Sequence, residues 1–194
     1  MTTTHTSIKK LWPLVALAAM LVATVTILRQ QGRLWICECG HIYLWVGDIW
    51  SSDNSQHLTD PYSFTHLLHG VVFFWALALL LPRVSLLWRF VIAIGLEAAW
   101  EVAENTEFII NRYREATASL GYNGDTIVNS LGDIAMCGLG FWLAWKIGWR
   151  WSLLLFVVVE LVLTFWIRDS LLLSILMLVY PLDAIKTWQL GLAP

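Results

Sequence analysis

Long apolar runs alternate with short polar stretches along the chain, and the length of the runs predicts membrane-spanning helices. The first run, Leu11–Leu28, contains no charged residue and follows Lys9 and Lys10. At about 18 residues, this run is just long enough to cross the hydrocarbon core of a bilayer. No small-residue cleavage site follows it, so we interpret it as an uncleaved anchor. Four further mostly apolar runs have comparable length: Ser63–Leu81, Leu86–Ala103, Asp125–Trp145 and Trp151–Ile167.

The last apolar run, Leu171–Tyr180, is too short to cross a bilayer alone. It crosses only if the helix continues past Pro181 towards Leu190; otherwise it is re-entrant or interfacial. We therefore predict an all-α, polytopic transmembrane helix bundle of about six spans. Because no stretch has the composition of a linker, a repeat or a low-complexity tail, we predict one domain, residues 1–194.

The distribution of lysine and arginine between the two sides predicts the orientation of the bundle. With six spans, one side carries seven of these residues: Lys9, Lys10, Arg83, Arg89, Lys146, Arg150 and Lys186. The other side carries five: Arg29, Arg33, Arg112, Arg114 and Arg168. The bias places both termini in the cytoplasm, with the loops 29–62 and 104–124 outside.

The composition agrees with a membrane protein. Hydrophobic residues make up 58% of the chain and charged residues only 13%, about half the charged fraction of a soluble domain. The mean hydropathy is +0.66, and the 13 tryptophans are typical of side chains that anchor helices at membrane interfaces. A net charge of −2 gives no basic surface, so we expect no nucleic-acid partner.

Ionisable side chains cluster at one end of the predicted spans. They lie at helical spacing on three runs, so each set occupies one helix face: His66 and His69; Glu97, Glu101 and Glu104; Asp125, Asn129 and Asp133. Even the mildest scale assigns a charge at the bilayer centre a cost of about 2.5–3.5 kcal/mol. We therefore expect the three sets to face one another across a polar cavity that opens to the outer side.

Three kinds of chemistry suit such a cavity. His66, His69, Glu97 and Glu101 are a suitable ligand set for a divalent metal such as zinc, manganese or iron. Without a metal, clustered carboxylates share protons, which suits acid–base catalysis by Glu97, Glu101 and Asp133 or proton coupling. In either case, a substrate headgroup would contact five further residues: Glu104, Arg112, Arg114, Asp125 and Asn129. The two arginines are the expected clamp for a phosphate or carboxylate.

Structural explanations compete with these roles. Asn129 taken alone is typical of a residue that hydrogen-bonds neighbouring membrane helices, and Arg112 and Arg114 suit interfacial anchoring equally well. Cys37 and Cys39 are separated by one residue and have no second cysteine pair to complete a zinc site. We expect no chemistry from the two cysteines.

Several segments resemble a family of uncharacterised bacterial multi-pass inner-membrane proteins. These segments are residues 55–60, 63–70, 95–105, 109–114, 124–133 and 166–169, so the resemblance covers most of the chain. It implies a helical membrane fold and no established activity. More distantly, the layout is similar to VanZ-like membrane proteins of the cell envelope, which carry a histidine, then a glutamate, then Asp-x-x-x-Asn-x-x-Gly; Asp125, Asn129 and Gly132 match the last motif. Glu101, Glu104 and Asp133 depart from that pattern, and the likeness implies only envelope biology.

We therefore expect an envelope protein whose polar pocket binds or modifies a membrane lipid or a lipid-linked precursor headgroup. Two alternatives stay open at this point: a small ion- or proton-coupled carrier, and a non-catalytic assembly subunit. The clustering of polar residues at one end disfavours the carrier, because the inner half of the fourth run, residues 138–144, offers no polar side chain for an ion to follow.

Overall fold

The computed structural model describes residues 3–119 and 121–191, with side chains from residue 11 onwards. The side chains of Lys9 and Lys10, on which the predicted orientation partly depends, lie outside this description. Within the described residues the protein is helical and contains no strand. Its seven helices are α1 (Thr3–Gln30), α2 (Ser63–Leu80), α3 (Leu86–Glu104), α4 (Glu107–Ala116), α5 (Ile127–Trp166), α6 (Leu171–Val179) and α7 (Asp183–Leu190).

Hydroxyl side chains begin four of these helices. The hydroxyl oxygen of the residue before the helix accepts a hydrogen bond from a backbone N–H in the first turn, which satisfies a donor that has no partner inside the helix. The four residues are Ser85 before α3, Thr106 before α4, Thr126 before α5 and Ser170 before α6. Local sequence thus defines where the helices around the site begin.

Helix α5 is two antiparallel arms, residues 127–147 and 149–166, joined at Gly148. A straight helix of 40 residues would extend about 60 Å. Gly148 has φ 76° and ψ 175°, a conformation that glycine adopts without a steric penalty. Trp149 beyond it packs on Trp75 of α2, so the second arm returns along α2. The fourth and fifth apolar runs of the sequence therefore form these two helical arms.

Helix α2 lies at the centre of the bundle. Its buried residues Leu67, Leu68 and Val71 form a core cluster with Ala144 of the first α5 arm and Leu171 of α6. At Gly70 and Gly140 the two backbones approach so closely that a Cβ atom on either glycine would overlap a carbonyl oxygen of the other helix. Small residues permit such close packing in membrane bundles, where apolar surface alone does not drive helices together.

Helices α6 and α7 form a hairpin and do not make one continuous sixth crossing. Helix α6 has nine residues and is about 14 Å long, half the thickness of the hydrocarbon core. The chain turns at Pro181, and Arg168 Nη1 donates a hydrogen bond of 2.6 Å to the Trp188 carbonyl oxygen. Helix α7 therefore returns to the start of α6, and the run from Leu171 towards Leu190 is not one continuous helix.

The ends of the described chain lie at opposite ends of the bundle. Gln31, just after α1, donates to the Val102 carbonyl oxygen near the end of α3, so α1 begins at the far end. Leu190 lines a cavity at the near end. A sixth crossing would have brought the C-terminus to the side on which α1 begins, and the α6–α7 hairpin prevents this.

Three helices are long and apolar enough to cross a membrane: Leu11–Gln30, Ser63–Leu80 and Ile127–Trp166. Large apolar side chains cover their outward faces; Leu79 and Phe165, for example, are 76% and 80% exposed. Exposed apolar surface on this scale is typical of contact with lipid. The structure thus supports a helical, membrane-associated protein, with fewer clear spans than the six predicted.

The close approach of α2 and α5 makes Gly140→Ala destabilising. The added methyl group must displace the Leu67 carbonyl, and such overpacking costs about 1–3 kcal/mol. We expect a clearly lower melting temperature in detergent. Gly121→Ala is the control, because a Cβ atom there meets no atom within 4 Å; equal melting temperatures for both variants would contradict this packing.

The α6–α7 hairpin should lose stability as the pH rises through about 6. Burial raises the pKa of Asp169, in the connection between α5 and α6, to about 6 from 3.8. A carboxyl group whose pKa is higher in the folded state stabilises the fold at low pH, and that contribution is lost above the folded-state value. Asn at position 169 keeps an oxygen that can accept the bonds Asp169 receives from Ser170 and Ser174. Thermal unfolding should therefore show Asp169→Asn to be more stable than wild type at pH 7.5, with a smaller difference at pH 5; an unchanged difference would contradict it.

Candidate functional site

Three helices bring histidine and carboxylate side chains together at one end of the bundle. His66 Nδ1 lies 2.5 Å from Glu97 Oε1 and 3.3 Å from Glu101 Oε1. His66 Nε2 lies 3.9 Å from Asp133 Oδ2. His69 Nδ1 lies 3.0 Å from Glu97 Oε2. The structure thus brings His66, His69, Glu97, Glu101 and Asp133 into one cluster, as the helical spacing indicates.

Burial makes this cluster electrostatically demanding. Glu97 and Glu101 are both 0% exposed, and Asp133 is 4% exposed. Neither carboxylate oxygen of Glu101 has a hydrogen-bond partner among the described residues, and the same holds for Asp133 Oδ1. Every ion pair within 4.0 Å in the described chain has histidine as its cationic member, so no lysine or arginine neutralises these acids. Ionised carboxylates without a partner are costly in such surroundings.

Two overlapping sets of donor atoms in the cluster are suitable for a metal ion. One set is His66, His69 and Glu97, and the other is His66, Glu101 and Glu104; in each, the donor atoms lie within 4.8 Å of one another. Glu104 is half-buried at the end of α3 and has one unpartnered oxygen. The metal-binding and catalytic roles assigned to these residues from the sequence stay predictions.

Asp125 and Asn129 have structural partners. Asp125 accepts hydrogen bonds from Asn105 Nδ2 at 2.8 Å and from the Tyr122 hydroxyl at 3.0 Å. Asn129 Nδ2 donates to the His57 carbonyl oxygen at 2.9 Å. These bonds attach the start of α5 to the neighbouring loops. Both residues also line the cavity, so the structural explanation accounts for their hydrogen bonds while a substrate contact stays a prediction.

The structure does not bring Arg112 and Arg114 together as a clamp. Both lie on α4, a helix where the sequence indicated a loop, and residues two positions apart do not share a helix face. Arg112 Nε donates to the Leu178 carbonyl oxygen at 2.9 Å, and Arg114 Nε donates to that of Tyr122 at 2.6 Å. Neither arginine lines the main cavity. Arg114 Nη2 also donates to the side-chain oxygen of Asn123, so the observed partners of both arginines are neutral groups of the protein.

A cavity of about 1210 Å³ opens beside the cluster. Its polar lining includes His66, His69, Glu104 and Asp133, while Glu97 and Glu101 lie behind this surface. Its apolar lining comes from α6, from Trp100 of α3 and from the segment 31–62, with Leu171, Ile175 and Leu178 on α6 and Leu34, Ile49 and Trp50 in that segment. The cavity is thus polar where α2, α3 and α5 meet and apolar along the α6 hairpin.

Several cavity residues carry no recognisable signal in the sequence. Arg33 and Gln189 line the cavity from segments distant in the chain. Asp60, also in the lining, accepts hydrogen bonds from the backbone N–H groups of Ser55 and Tyr62, which orient the turn before α2. Burial raises the pKa of Asp60, and these two hydrogen bonds oppose the rise. Only the position of Asp60 just before an apolar run marks it as a candidate.

Cys37 and Cys39 form a disulfide near His57, in the irregular segment 31–62. Backbone bonds attach that segment to the start of α5: Ile127 N–H donates to the Leu34 carbonyl oxygen at 2.8 Å. Cys137 is a buried thiol within α5. The cysteine pair lines the cavity, which its sequence spacing alone did not indicate.

Comparison with known proteins identifies relatives along nearly the whole chain. The family described as "Protein of unknown function (DUF2585)" matches residues 28–191. A UPF0314 protein of Sinorhizobium fredii is 47% identical over 91% of this chain and 90% of its own length. UPF0314 proteins of Rhizobium meliloti and Sphingopyxis alaskensis are 45% and 43% identical, over 93% and 90% of this chain and 91% and 93% of their own lengths.

No solved structure matches the chain. The expected uncharacterised bacterial family is confirmed, whereas the more distant likeness to VanZ-like proteins stays a prediction. The extent of the match and the identities above 40% lead to one conclusion. This chain belongs to the DUF2585 family.

Proposed function

We propose that this protein binds, and chemically modifies, the polar headgroup of a membrane lipid or lipid-linked envelope precursor. The observation that carries the proposal is the cavity of about 1210 Å³, polar at its histidine–carboxylate end and apolar along α6. A headgroup with part of its lipid tail has the same two-part polarity. The volume is above the usual range of about 300–1,000 Å³ for small-ligand pockets, which leaves space for the start of a tail.

The side chains at the polar end suit acid–base chemistry. His66 Nδ1 lies 2.5 Å from Glu97 Oε1, so a proton can move directly between this imidazole and that carboxylate. Asp133 Oδ2 is 3.9 Å from Nε2, a distance at which proton transfer needs one bridging water. Because Asp133 and His66 line the cavity, either can reach a bound headgroup. Proton transfer by a positioned side chain typically contributes 10²- to 10⁴-fold to a rate.

The carrier alternative is less well supported. The cluster lies at one end of the bundle, and the first arm of α5 has no acidic residue or histidine between Ile134 and Ile147. An ion that crossed the membrane along this arm would meet a mainly apolar path. A site that opens to one side suits an enzyme or a lipid-binding protein better.

For the bilayer we propose five crossings, made by α1, α2, α3 and the two arms of α5, with the α6–α7 hairpin at the interface. Lys186 then lies at the site end, so the basic residues divide equally and their number alone no longer predicts an orientation. Their contacts do. At the site end Arg33, Arg112, Arg114, Arg168 and Lys186 donate to backbone carbonyl oxygens.

At the opposite end, the side chains of Arg83, Lys146 and Arg150 donate no hydrogen bond in the described part of the chain, and Lys146 Nζ lies 4.5 Å from the centre of the Trp145 ring. Arg83 and Arg150 are exposed, so their charges are available to the anionic lipids of the cytoplasmic leaflet. We therefore propose that the site faces the periplasm and that α1 begins in the cytoplasm.

Charge removal at the site should abolish function and leave the fold intact. The oxygens of Glu101 have no hydrogen-bond partner in the described structure, so Glu101→Gln loses no observed hydrogen bond but removes a titrating group. We expect Glu101→Gln and Asp133→Asn to have melting temperatures equal to or above wild type, because each relieves charge repulsion. Neither variant should restore the envelope phenotype of a deletion strain.

Glu160→Gln is the matched control, because Glu160 is a buried acid on the second α5 arm, outside the cluster. It should restore the phenotype. Lipids that co-purify with each variant, identified by mass spectrometry, report binding separately from catalysis. Full complementation by Glu101→Gln and Asp133→Asn at normal protein level would overturn the proposed function. Dissociation of a specific protein complex in those variants would instead favour the assembly-subunit alternative.

Cysteine labelling in intact cells tests the proposed orientation. Ser52 and Pro82 are both exposed and lie at opposite ends of the bundle. In a variant without the native cysteines, we expect a membrane-impermeant maleimide to label Ser52→Cys and not Pro82→Cys. Pro82 is chosen in place of the nearby Ser85 because the Ser85 hydroxyl oxygen accepts the hydrogen bond that begins α3. The reverse pattern would place the site on the cytoplasmic side.

A further inference from the structure

We propose that His66, His69 and Glu97 bind one divalent transition-metal ion at the polar end of the cavity. The Nδ1 atoms of both histidines converge on the Glu97 carboxylate, at 2.5 Å for His66 and 3.0 Å for the nearer approach of His69. Donor atoms around one zinc ion, with bonds of about 2.0–2.2 Å, are themselves about 3–3.5 Å apart. The His69–Glu97 distance already matches that spacing, whereas the His66–Glu97 pair is a hydrogen bond that would lengthen by about 0.5–1 Å as the ion replaced its proton.

The surrounding charge also favours a cation. If the cluster held no metal, Glu97 would accept hydrogen bonds from two neutral imidazoles, and each of its oxygens would have a partner. That explanation leaves Glu101 with two buried oxygens and Asp133 with one, none of which has a partner in the described residues. A divalent ion within a few ångströms supplies the positive charge that neither lysine nor arginine provides here.

The orientation of His66 matches a second feature of metal sites. A histidine that binds a metal through one ring nitrogen usually donates the other N–H to a carboxylate, which fixes the ring. His66 directs Nδ1 at Glu97 and Nε2 towards Asp133 Oδ2, 3.9 Å away. At 3.9 Å, Asp133 would orient this ligand through a bridging water. Glu101, 3.3 Å from His66 Nδ1, is placed to complete the coordination or balance its charge.

The ion would keep one side open to a ligand. Both imidazoles line the cavity, whereas Glu97 lies behind them. Three protein ligands with an open position towards a cavity are typical of catalytic metal sites, in contrast to closed structural ones. Imidazole and carboxylate donors without a thiolate suit zinc, iron or manganese. This inference concerns the same site as the proposed function, and a bound ion there would polarise a phosphate or carboxylate of the headgroup.

Metal analysis of the purified, intact protein tests the proposal. If the Cys37–Cys39 disulfide were reduced during purification, the two thiolates and His57 would form a second candidate site, so Cys37→Ser/Cys39→Ser should serve as the reference background. In this background, purified in detergent without a polyhistidine tag or chelator, we expect about one zinc, iron or manganese ion per chain by mass spectrometry. His69→Gln and Glu97→Gln should reduce that content roughly fivefold or more, since lost ligands weaken affinity strongly.

Glu160→Gln and His57→Gln are the matched controls for a buried acid and a buried histidine outside the cluster, and both should retain the ion. If a ligand variant does not fold, chelator treatment of the reference protein replaces it. Chelation should lower the melting temperature, and added zinc or manganese chloride should restore it. A reference protein with less than roughly a tenth of an ion per chain, and no change in melting temperature on adding either salt, would overturn the proposal.

The two proposals fail in different ways. If the reference protein and the control variants bind metal but carry no co-purified lipid, the proposed function is overturned and the metal site remains. Lipid binding and complementation by a protein without metal would overturn the metal site and leave acid–base chemistry by the same residues.

Discussion

The contact between His66 and Glu97 joins α2 to α3 in a part of the bundle where most other contacts are apolar. The two atoms lie 2.5 Å apart, both side chains are buried, and a second imidazole, His69, contacts the same carboxylate, so the contact is a strong polar link between these two helices. A buried acid is tolerated only where a partner offsets the loss of hydration. The positions of α2 and α3 are thus coupled to the chemistry of the site.

Close packing of α2 against α5 supplies the other half of the arrangement. Apolar surface does not favour helix association inside a bilayer as it does in water, so packing must come from close contact. Gly70 and Gly140 permit that contact, and it brings Asp133 to within 4 Å of His66. A bulkier residue at either glycine would move Asp133 away from the cluster. The glycines therefore contribute to the site although they carry no chemical group.

The segment 31–62 and the short helices α4, α6 and α7 enclose the site end of the bundle. The segment 31–62 and helix α4 cover the site end and hold it with backbone hydrogen bonds, while the α6–α7 hairpin supplies the apolar wall of the cavity. Most arginines at this end donate to carbonyl oxygens of these segments. As a result, the site is enclosed by the protein's own loops, and Arg33, which donates to the Asn123 carbonyl oxygen, is the one arginine or lysine side chain among the described residues that line the cavity. This enclosure explains why the cluster retains unpartnered carboxylate oxygens and why a bound cation would fit it.

The sequence by itself determined the helical class, the extents of α2 and α3, the reversal after the fourth run and the set of residues that meet in the cluster. Run length and 3.6-residue spacing determine these features, and both are local properties of the chain. Only the tertiary structure decided which contacts those residues make. It showed that Asn129 and Asp125 hydrogen-bond to loops, that Arg112 and Arg114 point apart on a helix, and that α7 folds back at Pro181. Each of these outcomes depends on partners distant in the sequence, such as His57, Leu178 and Trp188, whose proximity no local pattern records.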